Sequence, residues 1–135
     1  MPPTFTLETN YETWPMVSIR ISDPETGANS DLEAMIDTGA DITILDLTVA
    51  RQLGVDFTGA EHAGIRGIGG RIQDVPIIQI EISILGADDL TATVRAAFVE
   101  NASSTFGNLI GLDALESIDF GLSHAERRAF FGPPS

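Results

Sequence analysis

The 135-residue chain contains no cysteine, few basic residues and no long apolar run. Without cysteine it has neither a disulfide framework nor a thiolate metal site, so packing alone must hold the fold together. No stretch approaches the ~20 apolar residues of a membrane span. The N-terminus also lacks a basic segment followed by an apolar one. We therefore expect a cytoplasmic protein with no membrane partner.

Basic residues are scarce: seven Lys and Arg stand against 20 Asp and Glu, which gives a formal net charge of -13. Such a chain repels phosphate groups, so the charge argues against nucleic acid as a partner. Acidity also serves solubility and therefore assigns no further function. With 43% hydrophobic and 20% charged residues, the composition fits one globular domain over residues 1–135.

Apolar and polar residues alternate along several segments, which is the pattern of strands with one buried face. Alternation predicts strands at residues 17–21, 32–36, 78–84, 91–99 and 118–122, and a strand at 127–131 that returns antiparallel after a turn. Asp46 is predicted to cap a short helix, and Gly54 stands where a left-handed stop is expected. The expected fold class is all-β with one or two short helices, and similar apolar-glycine turns at Gly39 and Gly111 suit a small barrel.

Candidate chemistry centres on Asp37-Thr38-Gly39, which follows an apolar strand end. Alone, this triplet is a weak signal, because aspartate also caps turns through its own backbone. Residues 64–70 contain four glycines in seven positions, which indicates either an ordinary turn or a hairpin that closes over an active site. No helix follows these glycines, which argues against a phosphate-binding loop.

Four segments, in order, resemble the retropepsin family of aspartic proteases: residues 14–19, 35–41, the glycine-rich hairpin and 108–111. Residues 109–115 also resemble the protease-like domain of ubiquitin-shuttle proteins of the DNA-damage-inducible class. The chain therefore looks like a cellular relative of the retropepsins. The resemblance implies a closed β-barrel-like subunit that supplies half of an active site.

The same resemblance implies roles for individual residues. Asp37 would be the catalytic carboxylate, with Thr38 and Gly39 forming the active-site loop and Thr38 bonding across a dimer axis. Substrate would be bound by Ala40, Asp41, Ile42, Gly67, Ile68, Gly69 and Ile110. No metal or cofactor is implied, and activity is expected at acidic to mildly acidic pH, where two carboxylates share one proton.

Counting carboxylates points to a homodimer. Pepsin-type chemistry needs two aspartates that share a proton, and the chain has a single Asp-Thr-Gly. A two-fold axis would supply the second. One departure is Leu112, which stands where viral enzymes usually have an arginine, so a salt bridge from that arginine to the position of Asp41 cannot form. By the same resemblance, residues 127–131 could add strands to the dimer interface as in the viral enzymes, whereas Gly-Pro-Pro at residues 132–134 weighs against a regular interleaved sheet.

The predicted function is an aspartic endopeptidase that hydrolyses extended polypeptides. The alternatives are a non-catalytic retropepsin-like module for peptide binding or dimerisation, and a self-processing domain of a longer polyprotein. His62 and His124 are far apart in sequence and are interpreted as surface residues. No serine lies in a nucleophile elbow, and no cluster has metal-ligand spacing.

Overall fold

The computed structural model describes residues 3–66, 72–100, 102 and 107–135, and β-strands dominate them. The predicted all-β class with short helices is confirmed. In chain order the elements are β1 (Leu7–Asn10), β2 (Met16–Ser22), β3 (Asn29–Ile36), β4 (Ile44–Asp46), α1 (Leu47–Leu53), β5 (Glu61–Arg66), β6 (Ile72–Ile84), β7 (Ala87–Val99), β8 (Leu109–Ile110), α2 (Leu112–Leu115), β9 (Asp119–Ser123) and β10 (Arg128–Gly132).

Six of these strands close into a barrel. They are hydrogen-bonded in the order β2-β3-β8-β4-β7-β6, and β2 pairs in turn with β6. The closing register places Ile19 opposite Ile84 and Ile21 opposite Ile82. Among the described strands, β5 pairs with β6 alone and extends from the ring as a hairpin. The predicted closed barrel is therefore present, and its closure removes most free sheet edges.

Alternate residues of the strands fill the barrel. In β2, Val17, Ile19 and Ile21 are buried, whereas Ser18 and Arg20 are exposed, because successive side chains of a strand point to opposite faces. Burying each such aliphatic side chain stabilises the fold by about 1.5–3 kcal/mol relative to leaving it exposed. Further large and fully buried side chains are Leu45, Ile80, Phe98 and Phe131.

Helix α1 is capped as its sequence predicts. The Asp46 carboxylate accepts hydrogen bonds from the Thr48 N–H at 2.9 Å and the Thr48 hydroxyl at 2.8 Å. Gly54 ends the helix with φ 69°, a left-handed conformation that costs glycine little. The helix buries Val49, Ala50 and Leu53. It thereby covers the barrel on the side of β3, β4 and β7.

A second sheet, in the order β1-β10-β9, joins the first and last strands. The predicted antiparallel return is present, with Arg128 opposite Ser123, and β1 adds to it through Leu7 opposite Phe131. A Cβ on Gly132 would overlap the Thr4 carbonyl oxygen and lie 2.9 Å from its carbon. Only glycine therefore allows the N-terminal segment to cross at this point.

Candidate active site

One groove of about 490 Å³ brings together the motif residues and the C-terminal part of β5. It is lined by Asp37, Gly39, Ala40, Asp41, Ile42, Ile44, Ala63, Gly64, Ile65, Arg66 and Leu109. Asp37 and Asp41 are the carboxylates among these lining residues, and Arg66 is the one cation. The groove therefore combines two acids, a rim cation and an apolar wall.

Two strands fix the backbone position of Asp37. Met35 and Ile36 of β3 pair in parallel with Leu109 and Ile110 of β8. At the end of this ladder the Asp37 N–H donates to the Ile110 carbonyl at 2.9 Å. Because parallel strands end at the same edge of a sheet, the chain after Asp37 lies beside the chain after Ile110. The carboxylate is thus placed by the barrel itself rather than by a free loop.

A tight turn orients the Asp37 side chain. The Gly39 N–H donates to Asp37 Oδ1 at 2.9 Å, and the Ala40 N–H donates to the Asp37 carbonyl at 3.2 Å. A Cβ on Gly39 would lie 3.2 Å from Oδ1, so a side chain there would crowd the carboxylate. Among the residues that the structure describes, Oδ2 has no hydrogen-bond partner. Asp37 therefore presents one held oxygen and one free oxygen to the groove.

Gly111 supports the loop from beneath. A Cβ at this position would lie 2.5 Å from both the carbon and the oxygen of the Ile42 carbonyl, and 2.8 Å from the Ala40 carbonyl oxygen. The next residue, Leu112, donates its N–H to the Ala40 carbonyl at 2.8 Å. Real Cβ atoms do not approach backbone so closely, so the loop can pack here only against glycine.

Asp113 links the segment at Gly111 to Thr43, which follows the Asp37 loop in the chain. Its Oδ2 accepts the Thr43 N–H at 3.0 Å, and its Oδ1 accepts the Thr43 hydroxyl at 2.9 Å. The same hydroxyl accepts the Gly111 N–H at 3.3 Å. Thr43 is completely buried, and a buried hydroxyl without partners would be costly. The network therefore fixes both ends of the Asp37 loop.

An apolar cluster forms the wall of the groove. Ile42, Ala63 and Ile65 are half-buried and pack against buried Ile44 and Leu109. Ile42 and Ile44 come from the chain after the motif, whereas Ala63 and Ile65 come from β5. Such a surface favours contact with apolar groups, since they leave water when they bind to it.

The structure brings five of the ten predicted site residues together. Asp37, Gly39 and the predicted substrate-binding residues Ala40, Asp41 and Ile42 line one groove. Thr38 is exposed in the same turn and is not part of the groove lining. The predicted hairpin residues Gly67, Ile68 and Gly69 lie outside the described residues.

Ile110 is the exception among the predicted substrate contacts. It is 2% exposed and packs in the barrel core. Its neighbour Leu109 lines the groove instead. The reason is strand alternation, which sends the two side chains of β8 to opposite faces. The sequence analysis did not assign three residues to the site, namely Thr43, Leu109 and Asp113. The one local signal for any of them was that Asp113 is an acidic residue in the first turn of α2.

Three charged groups outside the groove, Arg20, Asp31 and Asp56, have perturbed pKa values. Hydrogen bonds from the Arg20 guanidinium, at 2.7 and 3.1 Å, lower the pKa of Asp31 from its ordinary value. The backbone N–H of Thr58 lowers the pKa of Asp56 in the same way. All these groups are exposed, so they belong to surface structure and not to the site.

A second cavity, of about 570 Å³, lies around Tyr11, Trp14, Met16 and Glu33 and contains none of the motif residues. This second cavity is larger than the groove at Asp37, but the candidate chemistry lies in the groove. Within the described ranges, no three His, Asp or Glu side chains are grouped so as to hold a metal ion. In the same ranges, neither helix has the length and apolar character to cross a membrane.

Comparison with known proteins gives one family match. The family described as gag-polyprotein putative aspartyl protease matches residues 26–117. The matched region runs from the turn before β3 through α2 and includes Asp37, the groove and Gly111. No curated protein matches the chain.

Proposed function

The chain belongs to the gag-polyprotein aspartyl protease family, and from this membership we propose that it is an aspartic endopeptidase that works as a homodimer. The observation that carries the proposal is the Asp37 carboxylate, held by the Gly39 N–H at 2.9 Å on the floor of a groove with an apolar wall. An extended polypeptide is the substrate that suits such a groove, because its side chains alternate while its backbone stays available for hydrogen bonds.

The proposed chemistry uses Asp37 from each of two subunits. The ionised carboxylate removes a proton from a water molecule, whose oxygen attacks the carbon of the scissile carbonyl. The protonated carboxylate donates a hydrogen bond to the carbonyl oxygen, which takes up the electron pair. A proton then passes to the nitrogen as the C–N bond breaks, which gives a carboxyl and an amine product. Water is the only co-reactant.

The need for a homodimer follows from the number of carboxylates. Two carboxylates at short distance share one proton because both cannot ionise. The other acid that lines the groove, Asp41, comes four residues later in the chain, and its backbone carbonyl is engaged by Asp113. A second Asp37, related by a two-fold axis, gives the symmetric pair that the chemistry needs.

The test compares wild type with Asp37→Asn on a mixture of denatured proteins between about pH 4 and 7, the range around the expected shared-proton state. New peptides are read by mass spectrometry over a series of enzyme concentrations. We expect cleavage by wild type alone, with a rate that rises as the square of concentration when monomer predominates. Circular dichroism of the variant controls for folding.

Three outcomes would contradict the proposal. Cleavage that persists in Asp37→Asn at the wild-type rate would remove Asp37 from the chemistry. A rate strictly proportional to concentration, in a range where sedimentation shows monomer, would rule out a site shared between two subunits. Absence of cleavage in both proteins would favour a peptide-binding module.

A further inference from the structure

Arg66 differs from the other arginines that the structure describes, because it has no oxygen partner within the described ranges. It is the last residue of β5, is exposed and lines the groove. In the part of the chain that the structure describes, every other arginine contacts an oxygen: Arg20 with Asp31, Arg51 with Glu100, Arg95 with Glu61, Arg127 with the Glu12 carbonyl, and Arg128 with Glu8. Arg66 has no such contact among the described residues.

A shortage of carboxylates does not explain this. Each of the 20 Asp and Glu residues lies within the described ranges. Asp41 lines the same groove as Arg66, yet the two form no salt bridge. In a chain of net charge -13, an arginine that borders a groove and has no ion-pair partner among the described residues is therefore a specific local feature.

The hairpin arrangement keeps this guanidinium available. Arg66 of β5 stands opposite Ile72 of β6, and Asp74 lies two residues further along β6 on the same face as Ile72. Asp74 is engaged by His62, whose Nδ1 lies 3.2 Å from its Oδ2. Ile72 lies over Gly64, where a Cβ would come within 3.0 Å of its Cγ2. The acid and the apolar side chain nearest in register thus have other contacts.

We propose that Arg66 is a specificity residue that binds the carboxylate of an Asp or Glu side chain in the peptide held by the groove. The inference rests on the proposed function, because it takes the groove as a peptide site. A guanidinium offers paired N–H donors that match a carboxylate. Asp37 and Asp41 on the floor repel acidic side chains elsewhere. The substrate class is therefore an extended, otherwise neutral or apolar segment with one acidic residue.

Binding to the Asp37→Asn protein tests this without turnover. The probes are labelled peptides of one parent sequence that carry Glu, Gln or Lys at a single position. Each position of the peptide is varied in turn, and binding is measured by fluorescence anisotropy. We expect Glu at one position to bind about three- to tenfold more tightly than Gln, as for a partly exposed ion pair. In Asp37→Asn/Arg66→Glu the preference at that position should reverse to Lys.

Asp37→Asn/Arg51→Glu is the matched control, since it changes the net charge equally on α1, outside the groove lining. It should keep the preference for Glu. The proposal is overturned if Arg66→Glu leaves the selectivity unchanged, if it weakens the Glu, Gln and Lys peptides equally, or if no peptide binds. Wild-type turnover is measured separately. Reversed selectivity without any turnover would remove the endopeptidase but retain Arg66 as the recognition residue.

Discussion

At the scale of single residues, the shape of the site depends on the absence of a side chain at Gly111. In Gly111→Ala the new Cβ would lie 2.5 Å from the Ile42 carbonyl, so the Asp37 loop must move. We expect a loss of about 3 kcal/mol in the free energy of unfolding, typical of overpacking against a rigid neighbour. Urea denaturation followed by circular dichroism measures it.

Gly27→Ala is the control for this prediction. Gly27 has φ 77°, and a Cβ there would meet nothing within 4 Å. Its replacement introduces backbone strain without a clash and should cost only about 1 kcal/mol. Equal losses in the two variants would show that the loop adapts to the added methyl group and that Gly111 is not specifically required.

The Thr43–Asp113 contact allows a second prediction at this scale. Asp113→Ala removes both acceptors and leaves the buried Thr43 hydroxyl and N–H without them. We expect a loss of about 2–3 kcal/mol, the cost of unpaired buried polar groups bonded to a charge. Asp113→Asn keeps one acceptor oxygen and should lose less than half as much. Thermal unfolding compares the two, and equal losses would mean that the charge, not the geometry, stabilises the loop.

The sequence predicted contacts between neighbouring residues of the site but not contacts between distant ones. The Asp37 turn and the Asp46 cap involve neighbouring residues, and their types could be recognised in the sequence. The contact of Thr43 with Asp113 spans 70 residues, and no local pattern carries it. Leu109 and Ile110 form a strand of only two residues, which is too short for alternation to show which side chain faces the groove.

At the scale of elements, Gly132 controls whether the N-terminal segment stays on β10. In Gly132→Ala the new Cβ would overlap the Thr4 carbonyl. The Thr6 N–H, which donates to the Phe131 carbonyl at 2.8 Å, should then lose its protection from hydrogen exchange. Amides in the β6–β7 hairpin should keep theirs, because those strands belong to the barrel.

Gly121→Ala is the matched change on the adjacent strand. Its Cβ would approach the ring of Phe5 at 3.2 Å and that of Phe130 at 3.9 Å, with no backbone atom among these neighbours, and a side chain can turn away where backbone cannot. Protection at Thr6 should therefore survive in this variant. Loss of protection in both variants would mean that the small sheet fails as a whole when crowded at any point.

Some strands were predicted from the sequence and others were missed, and β1 and β6 show why. The core strands β2, β3 and β7 alternate clearly and were recognised. Strand β1 is short and mostly polar, and its partner β10 lies more than 100 residues away, so it was missed. Strand β6 begins at Ile72, six residues before the predicted start at residue 78. The prediction began late because Pro76 interrupts the alternation of apolar and polar residues. The proline is tolerated where β6 pairs with β5 only, since pairing with β7 starts at Ile77.

At the scale of the whole molecule, the net charge of -13 opposes the proposed dimer. Each subunit repels its copy, and Arg66 is one of few cations near the shared groove. Salt screens such repulsion, with a Debye length that falls from about 30 Å at 0.01 M to about 10 Å at 0.1 M. We expect the dimer dissociation constant to fall several-fold when NaCl rises from about 0.02 to 0.3 M.

Sedimentation equilibrium measures this dissociation constant, and urea denaturation at the same salt concentrations separates association from changes in folding. Arg51→Glu lowers the net charge by two per subunit outside the groove and should steepen the salt dependence. If salt instead weakens the dimer, oppositely charged groups must meet across the interface and outweigh the net repulsion. Since the chain has seven Lys and Arg in all, those groups would then be sought among the arginines, and charge reversal of each would identify the pair.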